Sequence, residues 1–236
     1  MKKGNNIMSK NILITGCSSG LGLALTKYYL EKNYKVYGIG RNKPDISNEN
    51  FTFYSFDLSN TSLIKIQLDN FITSIKDIDT VYLNAGMLGE IKEIGKLSIE
   101  EIRKVYELNV YSNKELLDIL AKTNTKNIIA LSSGASKNGS KGWASYSLSK
   151  AGLNMLVNLY SKELVSTKIL SVAPGVIQTP MTDYIRHEID DDIFTSAKVL
   201  KAGVIQQPSE AAKRLDDLVS RIDEFESGSF VDVRQI

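Results

Sequence analysis

The feature that most constrains this chain is an alternation. Short apolar, β-branched runs are each followed by a longer stretch of amphipathic spacing, from residue 11 to the C-terminus. The first run, Asn11–Thr15 (NILIT), ends at a glycine, as a strand buried on both faces does. Leu21, Ala24, Leu25 and Tyr28 then recur at i, i+3, i+4 and i+7, which predicts a helix from Gly20. The same pattern predicts strands at 35–39, 52–56, 80–83, 127–131 and 168–173, and a closing strand at 229–233. Helices are predicted at about 60–76, 98–121 and 144–165, with a last one near 209–220. Such an alternation folds as right-handed βαβ units, giving an α/β domain with a doubly wound parallel sheet and helices on both faces.

No repeat, low-complexity tract or Pro-rich linker interrupts residues 11–236, which read as a single domain behind a short flexible leader at 1–10. The stretch from about 180 to 207 differs. It carries Asp190, Asp191 and Asp192, few apolar runs and no strand pattern. It begins at the carboxyl end of the sixth strand, where ligands bind in open α/β sheets, so it reads as a substrate lid; a solvated surface insertion is the alternative.

Composition narrows the function. The 236 residues carry 29 Lys+Arg against 27 Asp+Glu, a balance too even for a nucleic-acid binder. A single cysteine, Cys17, leaves no internal disulfide and points to a reducing, cytoplasmic compartment. With one histidine as well, a metal centre would need an almost all-carboxylate ligand set, and metal catalysis is set aside. No run approaches 18 apolar residues, so no membrane span is expected.

Thr15-Gly16-Cys17-Ser18-Ser19-Gly20-Leu21-Gly22 occupies the first strand–helix junction. Its glycines allow a tight turn and close backbone approach to a pyrophosphate, which the helix N-terminus attracts. Three more motifs follow in order: Asn84-Ala85-Gly86 after the fourth strand, Ser133 thirteen residues before Tyr146-Ser147-Leu148-Ser149-Lys150, and Pro174-Gly175-Val176-Ile177-Gln178-Thr179 after the sixth. Tyr146 and Lys150, four apart, share a helix face, and a nearby ammonium is expected to draw the phenol pKa down from about 10.

In that order these motifs resemble the short-chain dehydrogenase/reductase family across residues 11 to about 181, implying a Rossmann domain and a nicotinamide cofactor. The resemblance makes Tyr146 the proton donor to a carbonyl, Ser133 its hydrogen-bonding partner, and Lys150 a holder of the nicotinamide ribose. Asn109 matches the family's water-positioning asparagine; a helix-interior Asn bonding locally is the alternative. Cofactor contacts are expected from Gly16, Ser18, Ser19, Gly20, Leu21, Gly22, Arg41, Asp57, Leu58, Asn84, Ala85, Gly86, Tyr146, Lys150, Pro174, Gly175, Val176, Ile177, Thr179 and Met181. Asp57 would lie beside the adenine or else cap a helix. Gly40 stands where an acidic residue would select NAD, and Arg41, with Lys43, favours NADP(H). Ser19, where many NADP-preferring relatives carry a basic residue, and Leu83, where many carry Asn, depart from the pattern.

The segments 132–138 and 141–144 and the tail 225–232 resemble the sepiapterin reductase and benzil reductase branch. That branch implies reduction of a ketone, diketone or pterin side-chain carbonyl, with Asp232 anchoring a pterin and Trp143 lining the substrate pocket. The alternatives are a ligand-free strand Asp and a packing Trp. The helix at 144–165 is apolar nearly all round, and the family implies a homodimer through it and 98–121; a monomer that buries both internally is the other reading. Two functions follow: an NADP(H)-dependent carbonyl reductase, or a dinucleotide-binding regulatory protein without catalysis. The Ser133, Tyr146 and Lys150 set favours the enzyme.

Overall fold

A computed structural model describes residues 10–236. Residues 1–9 of the expected leader lie outside the described residues, and Lys10 belongs to the body: its carbonyl accepts the Lys35 N–H at 2.9 Å. The strands are β1 (Asn11–Thr15), β2 (Lys35–Gly40), β3 (Phe51–Ser55), β4 (Ile78–Leu83), β5 (Thr125–Leu131), β6 (Lys168–Ala173) and β7 (Phe230–Asp232). They form one all-parallel sheet in the order β3-β2-β1-β4-β5-β6-β7. The helices are α1 (Gly20–Glu31), α2 (Ile64–Thr73), α3 (Ile99–Tyr106), α4 (Ser112–Leu120), α5 (Ala144–Glu163), α6 (Pro180–Glu188), α7 (Thr195–Ala202) and α8 (Pro208–Ser220).

The period-2 alternation of the strands divides the core into two layers. Ile12, Ile14, Tyr82, Ile129, Leu170 and Val172 face α1 and α8, where Leu25, Tyr29, Leu215 and Leu218 meet them. Leu13, Val81, Leu83, Ile128, Ala130 and Ile169 face the other way, onto Leu68 of α2, Leu117 of α4 and Leu153 and Val157 of α5. The architecture is therefore the doubly wound α/β sandwich that the alternation implies. Strand order reverses between β1 and β4, and the crevice beyond the carboxyl ends of the strands opens there.

Two segments differ from expectation. The helix expected over 98–121 is broken: α3, opened by a Ser98–Glu101 capping box, passes into a π-helical turn at Glu107–Tyr111 before α4 continues. Such turns insert one residue and re-aim the side chains around it. The segment 180–207 contains α6 and α7, not open chain. Thr179 caps α6 and Pro180 occupies its first turn, a strong helix start. The apolar residues here, Ile185, Ile189 and Ala197, bury against Leu88, Ile91 and Trp143, away from the sheet. They are sparse because the contact they make is small. The segment is tied back where Ile177 bridges Gln206.

Two glycines set the approach of α1 to the sheet. Gly16 adopts φ +67°, a left-handed conformation that glycine tolerates without strain. Gly22 lies against it: a Cβ there would stand 2.1 Å from the Gly16 carbonyl oxygen and 2.6 Å from Asn84 Nδ2. Gly22→Ala should therefore destabilise by about 1–3 kcal/mol despite alanine's better helix propensity. Gly152 in α5 is the contrast, with its nearest neighbours at 3.6 Å. Gly152→Ala should stabilise by about 0.5–1 kcal/mol. Thermal unfolding of both variants checks this; shifts of the same sign would contradict the packing argument.

Candidate active site

A cleft of about 1610 Å³ runs along the carboxyl ends of the strands. Of the residues expected to bind cofactor or substrate or to act in catalysis, the cleft is lined by all but Gly22, Asn109 and Asp232.

The reactive end is built from one stripe of α5 facing the end of β5. Tyr146 receives a hydrogen bond from Ser133, Lys150 Nζ donates to the Leu131 carbonyl at 2.7 Å, and Asn154 accepts from Ser132 Oγ at 2.6 Å. Asn154 also donates to Ser136 Oγ at 2.8 Å, and Ser136 Oγ in turn donates to the Ser133 carbonyl at 2.7 Å. Positions 146, 150 and 154 are each one helical step apart, so α5 grips the loop carrying Ser133 at three successive levels.

The electrostatics correct one expectation. Lys150 does not draw the Tyr146 phenol down. Burial pushes the phenol above its ordinary value, and only the bond from Ser133 opposes the rise. The reason is placement: the ammonium lies over the ring face, 5.6 Å from its centroid, and is directed at a carbonyl. Lys150 itself is 4% exposed, and burial pushes it down to about 8. Burial thus makes the phenol a weaker acid than a free tyrosine, so it gives up its proton only to an oxygen on which negative charge develops.

Asn109 sits in the π-helical turn behind the cleft, fully buried. Its Oδ1 accepts from Met87 N at 2.8 Å, and its Nδ2 donates to the Met87 carbonyl at 2.8 Å and to Ser149 Oγ at 2.9 Å. It locks the chain after Gly86 to α5 through contacts 22 and 40 residues away in sequence, which is not local helix bonding. It does not face the cleft. Asn154 and Ser136, which hold the reactive loop, and Ser149, which bonds Asn109 and the Tyr146 carbonyl, were not singled out by sequence; the four-residue step from Lys150 to Asn154 was the available signal.

The other end fits a dinucleotide. Ser19 precedes α1 without a side-chain cap, and the first turn of α1 carries no acidic residue. The helix therefore opens with unpartnered N–H groups and its positive dipole end toward the cleft. Asn84 is structural as well as lining: its Nδ2 bonds the Thr15 and Gly16 carbonyls at 2.9 and 3.1 Å, tying β4 to the glycine turn. The Ser18 hydroxyl donates to the Asn42 carbonyl and holds the loop after β2 in place. Arg41 and Lys43 line the cleft there, and neither makes an ion pair among the described residues. Asp57 lies two residues beyond β3 and caps no helix: the 3-10 turn that follows begins after Asn60. Asp57 lines the cleft while its Oδ1 accepts from Ser59 N and Oγ, and with the Arg41 charge these bonds hold its carboxyl below the usual range.

Trp143 packs edge-on to Tyr146, centroids 6.3 Å apart, and is both a cleft wall and a contact of α6 and α7. Asp232 departs from expectation. It accepts from Arg234 N and Nε at 3.0 and 2.9 Å and from Nη2 at 2.5 Å, so Arg234, not Asp232, reaches the cleft. The cause is register: β7 pairs with β6 as the sheet edge, setting Asp232 beside Ala173 instead of across the pocket.

Comparison with known proteins agrees with this geometry. A benzil reductase ((S)-benzoin forming) of Bacillus subtilis (strain 168) is 32% identical over 240 residues, covering 94% of this chain and 98% of that one. A second protein of that description, from Saccharomyces cerevisiae, is 31% identical over 202 residues and 77% of each chain. The crystal structure of a short chain dehydrogenase family protein from Francisella tularensis superposes with a TM-score of 0.80 at 27% identity, covering 95% of this chain and 96% of that one. Residues 10–190 match the short chain dehydrogenase family, and on that match and the benzil reductase likeness this chain belongs to that family.

Proposed function

We propose that this oxidoreductase is an NADP(H)-dependent carbonyl reductase, with a vicinal diketone of the benzil kind as its best-supported substrate class. The observation that carries the reading is one cleft joining an uncapped, glycine-lined helix start to a buried phenol kept protonated beside Ser133. The bound dinucleotide supplies the hydride. The Ser133 hydroxyl orients the substrate carbonyl oxygen, and Tyr146 delivers a proton to that oxygen as negative charge develops on it. The buried Lys150 ammonium binds the ribose hydroxyls, and the Ser133 hydroxyl is the group that eases proton loss from Tyr146. Asn109 acts through Met87 and Ser149, keeping Gly86 and α5 in register. The helices α6 and α7 form the lid that excludes water. The benzil reductase relatives favour the diketone over a pterin, because Arg234 occupies the carboxylate that a pterin would need.

NADP(H) over NAD(H) rests on Gly40 and on Arg41 and Lys43, which line the cleft just after β2 and form no salt bridge among the described residues. The same proposal includes a cytoplasmic homodimer. Leu148, Met155 and Leu159 of α5 and the neighbouring Tyr111 are exposed large apolar residues on the two helical segments named for self-association. The cytoplasmic part rests on Cys17 being the one cysteine of the chain, which leaves no internal disulfide.

Tyr146→Phe should lower kcat for benzil reduction by about 10² to 10⁴-fold while NADPH still binds; turnover within tenfold of the parent would contradict the proton-donor role. Arg41→Ala should weaken NADPH by about 10 to 150-fold and leave NADH unchanged, which fluorescence titration of both cofactors measures; equal losses would make Arg41 structural. The third expectation concerns pH. Lys150 is charged below about 8 and loses its proton above it. Cofactor binding should therefore weaken as pH rises through that value, by up to about tenfold per unit. In Lys150→Met the affinity should be low and flat across the same range, and an unchanged slope would assign the titration elsewhere.

A further inference from the structure

The tail that ends β7 brings a guanidinium to the reactive end of the cleft. Arg234 follows the strand by two residues, and its side chain is 53% exposed while that of Asp232 is 6% exposed. Nε and Nη2 each donate one hydrogen to Asp232, which fixes the plane of the group. A guanidinium carries five N–H donors, so three remain, two on Nη1 and one on Nη2. Nη2 lies 3.4 Å from the point where a Cβ on Gly134 would stand. The Arg234 stem lies 3.6 Å from the equivalent point on Gly175. Gly134 follows Ser133 and Gly175 follows Pro174, so the fork sits between the two loops that bound the reactive end.

Trp143 Nε1 and Ser196 Oγ are buried without a hydrogen-bond partner, and both residues line the cleft. Buried polar atoms of this kind cost free energy unless a ligand or water satisfies them.

We propose that Arg234, braced by Asp232, is the specificity-determining residue that receives the second oxygen of a neutral vicinal dicarbonyl whose first oxygen lies between Ser133 and Tyr146. This rests on the carbonyl-reductase reading above and adds the substrate feature that the enzyme selects. The braced pair has no net charge, so it acts as a hydrogen-bond donor more than as an anion trap. A neutral diketone therefore suits it better than a 2-oxo carboxylate. The chemistry is unchanged by this residue: one carbonyl carbon gains the hydride, its oxygen gains the Tyr146 proton, and the second carbonyl leaves intact.

The test compares benzil with deoxybenzoin, the same skeleton with the second carbonyl replaced by a methylene, at saturating NADPH. The parent should prefer benzil in kcat/KM by about 10- to 100-fold, the range of a hydrogen bond to a charged donor. In Arg234→Met that preference should fall by about tenfold or more, to the ratio set by benzil's more electrophilic carbonyl alone, with the NADPH dissociation constant and melting temperature close to the parent's. Arg234→Lys, which keeps the charge and loses the fork, should keep only a small part of the preference. Asp232→Asn leaves the guanidinium charge uncancelled, so phenylglyoxylate should gain on benzil. A preference for benzil as large in Arg234→Met as in the parent, or a matching loss of NADPH affinity, overturns the proposal. Failure of the parent to reduce any of the three carbonyls is a different result, and it sinks the carbonyl-reductase reading itself.

Discussion

Burial of the Lys150 ammonium against the end of β5 is the contact on which the reactive end depends. A lysine with 4% of its surface exposed and a single carbonyl partner is an expensive thing to fold, and its depressed pKa of about 8 reflects that cost. An apolar side chain at this position would stabilise the sheet–helix junction better. Perturbed ionisable groups retained in clefts mark functional sites more often than structural ones. The cost is carried by the apolar layer beneath, where Leu153 and Val157 of α5 are fully buried against the sheet. Because α5 is anchored there, the 146, 150 and 154 stripe can hold Ser133 and its loop without relying on loop rigidity.

The two ends of the cleft are positioned by different physics. At the glycine turn the constraint is steric: Gly16, Gly22 and Asn84 pack so closely that the start of α1 has one place to be, and its N–H groups face the crevice as a result. At the reactive end the constraint is a polar network, from Ser132 and Asn154 through Ser136 and from Asn109 through Ser149. Such networks specify one geometry because each buried member needs its partner. Between them lie α6 and α7, packed on Trp143 in a small cluster separate from the two main core layers, which leaves that segment the least anchored wall of the cleft.

Much of this was legible in sequence because it rests on local period and spacing. The strands β1 and β6 fall on their expected residues, and the four motifs at strand ends land in one cleft. What was not legible depended on long-range packing or on electrostatics. The π-helical turn around Asn109 inserts one residue without breaking the apolar pattern of 98–121, so periodicity could not reveal it. The helices α6 and α7 bury too few apolar residues to show a stripe. The Asp232–Arg234 pair needed the register of β7 against β6. The rise in the Tyr146 phenol needed its burial, since sequence gives the four-residue spacing to Lys150 but not where the ammonium points.

Direct transfer of hydrogen from cofactor to substrate tests the reductase reading against a dinucleotide-binding regulator of the same fold. NADPH carrying deuterium at the transferable C4 position would be incubated with the enzyme and benzil, and the product examined by mass spectrometry and proton NMR. The structure predicts one deuterium at the new carbinol carbon in the parent and no product beyond background in Tyr146→Phe. Tight NADPH binding by the parent without any deuterium transfer to a carbonyl would contradict it and leave the regulatory protein as the better reading.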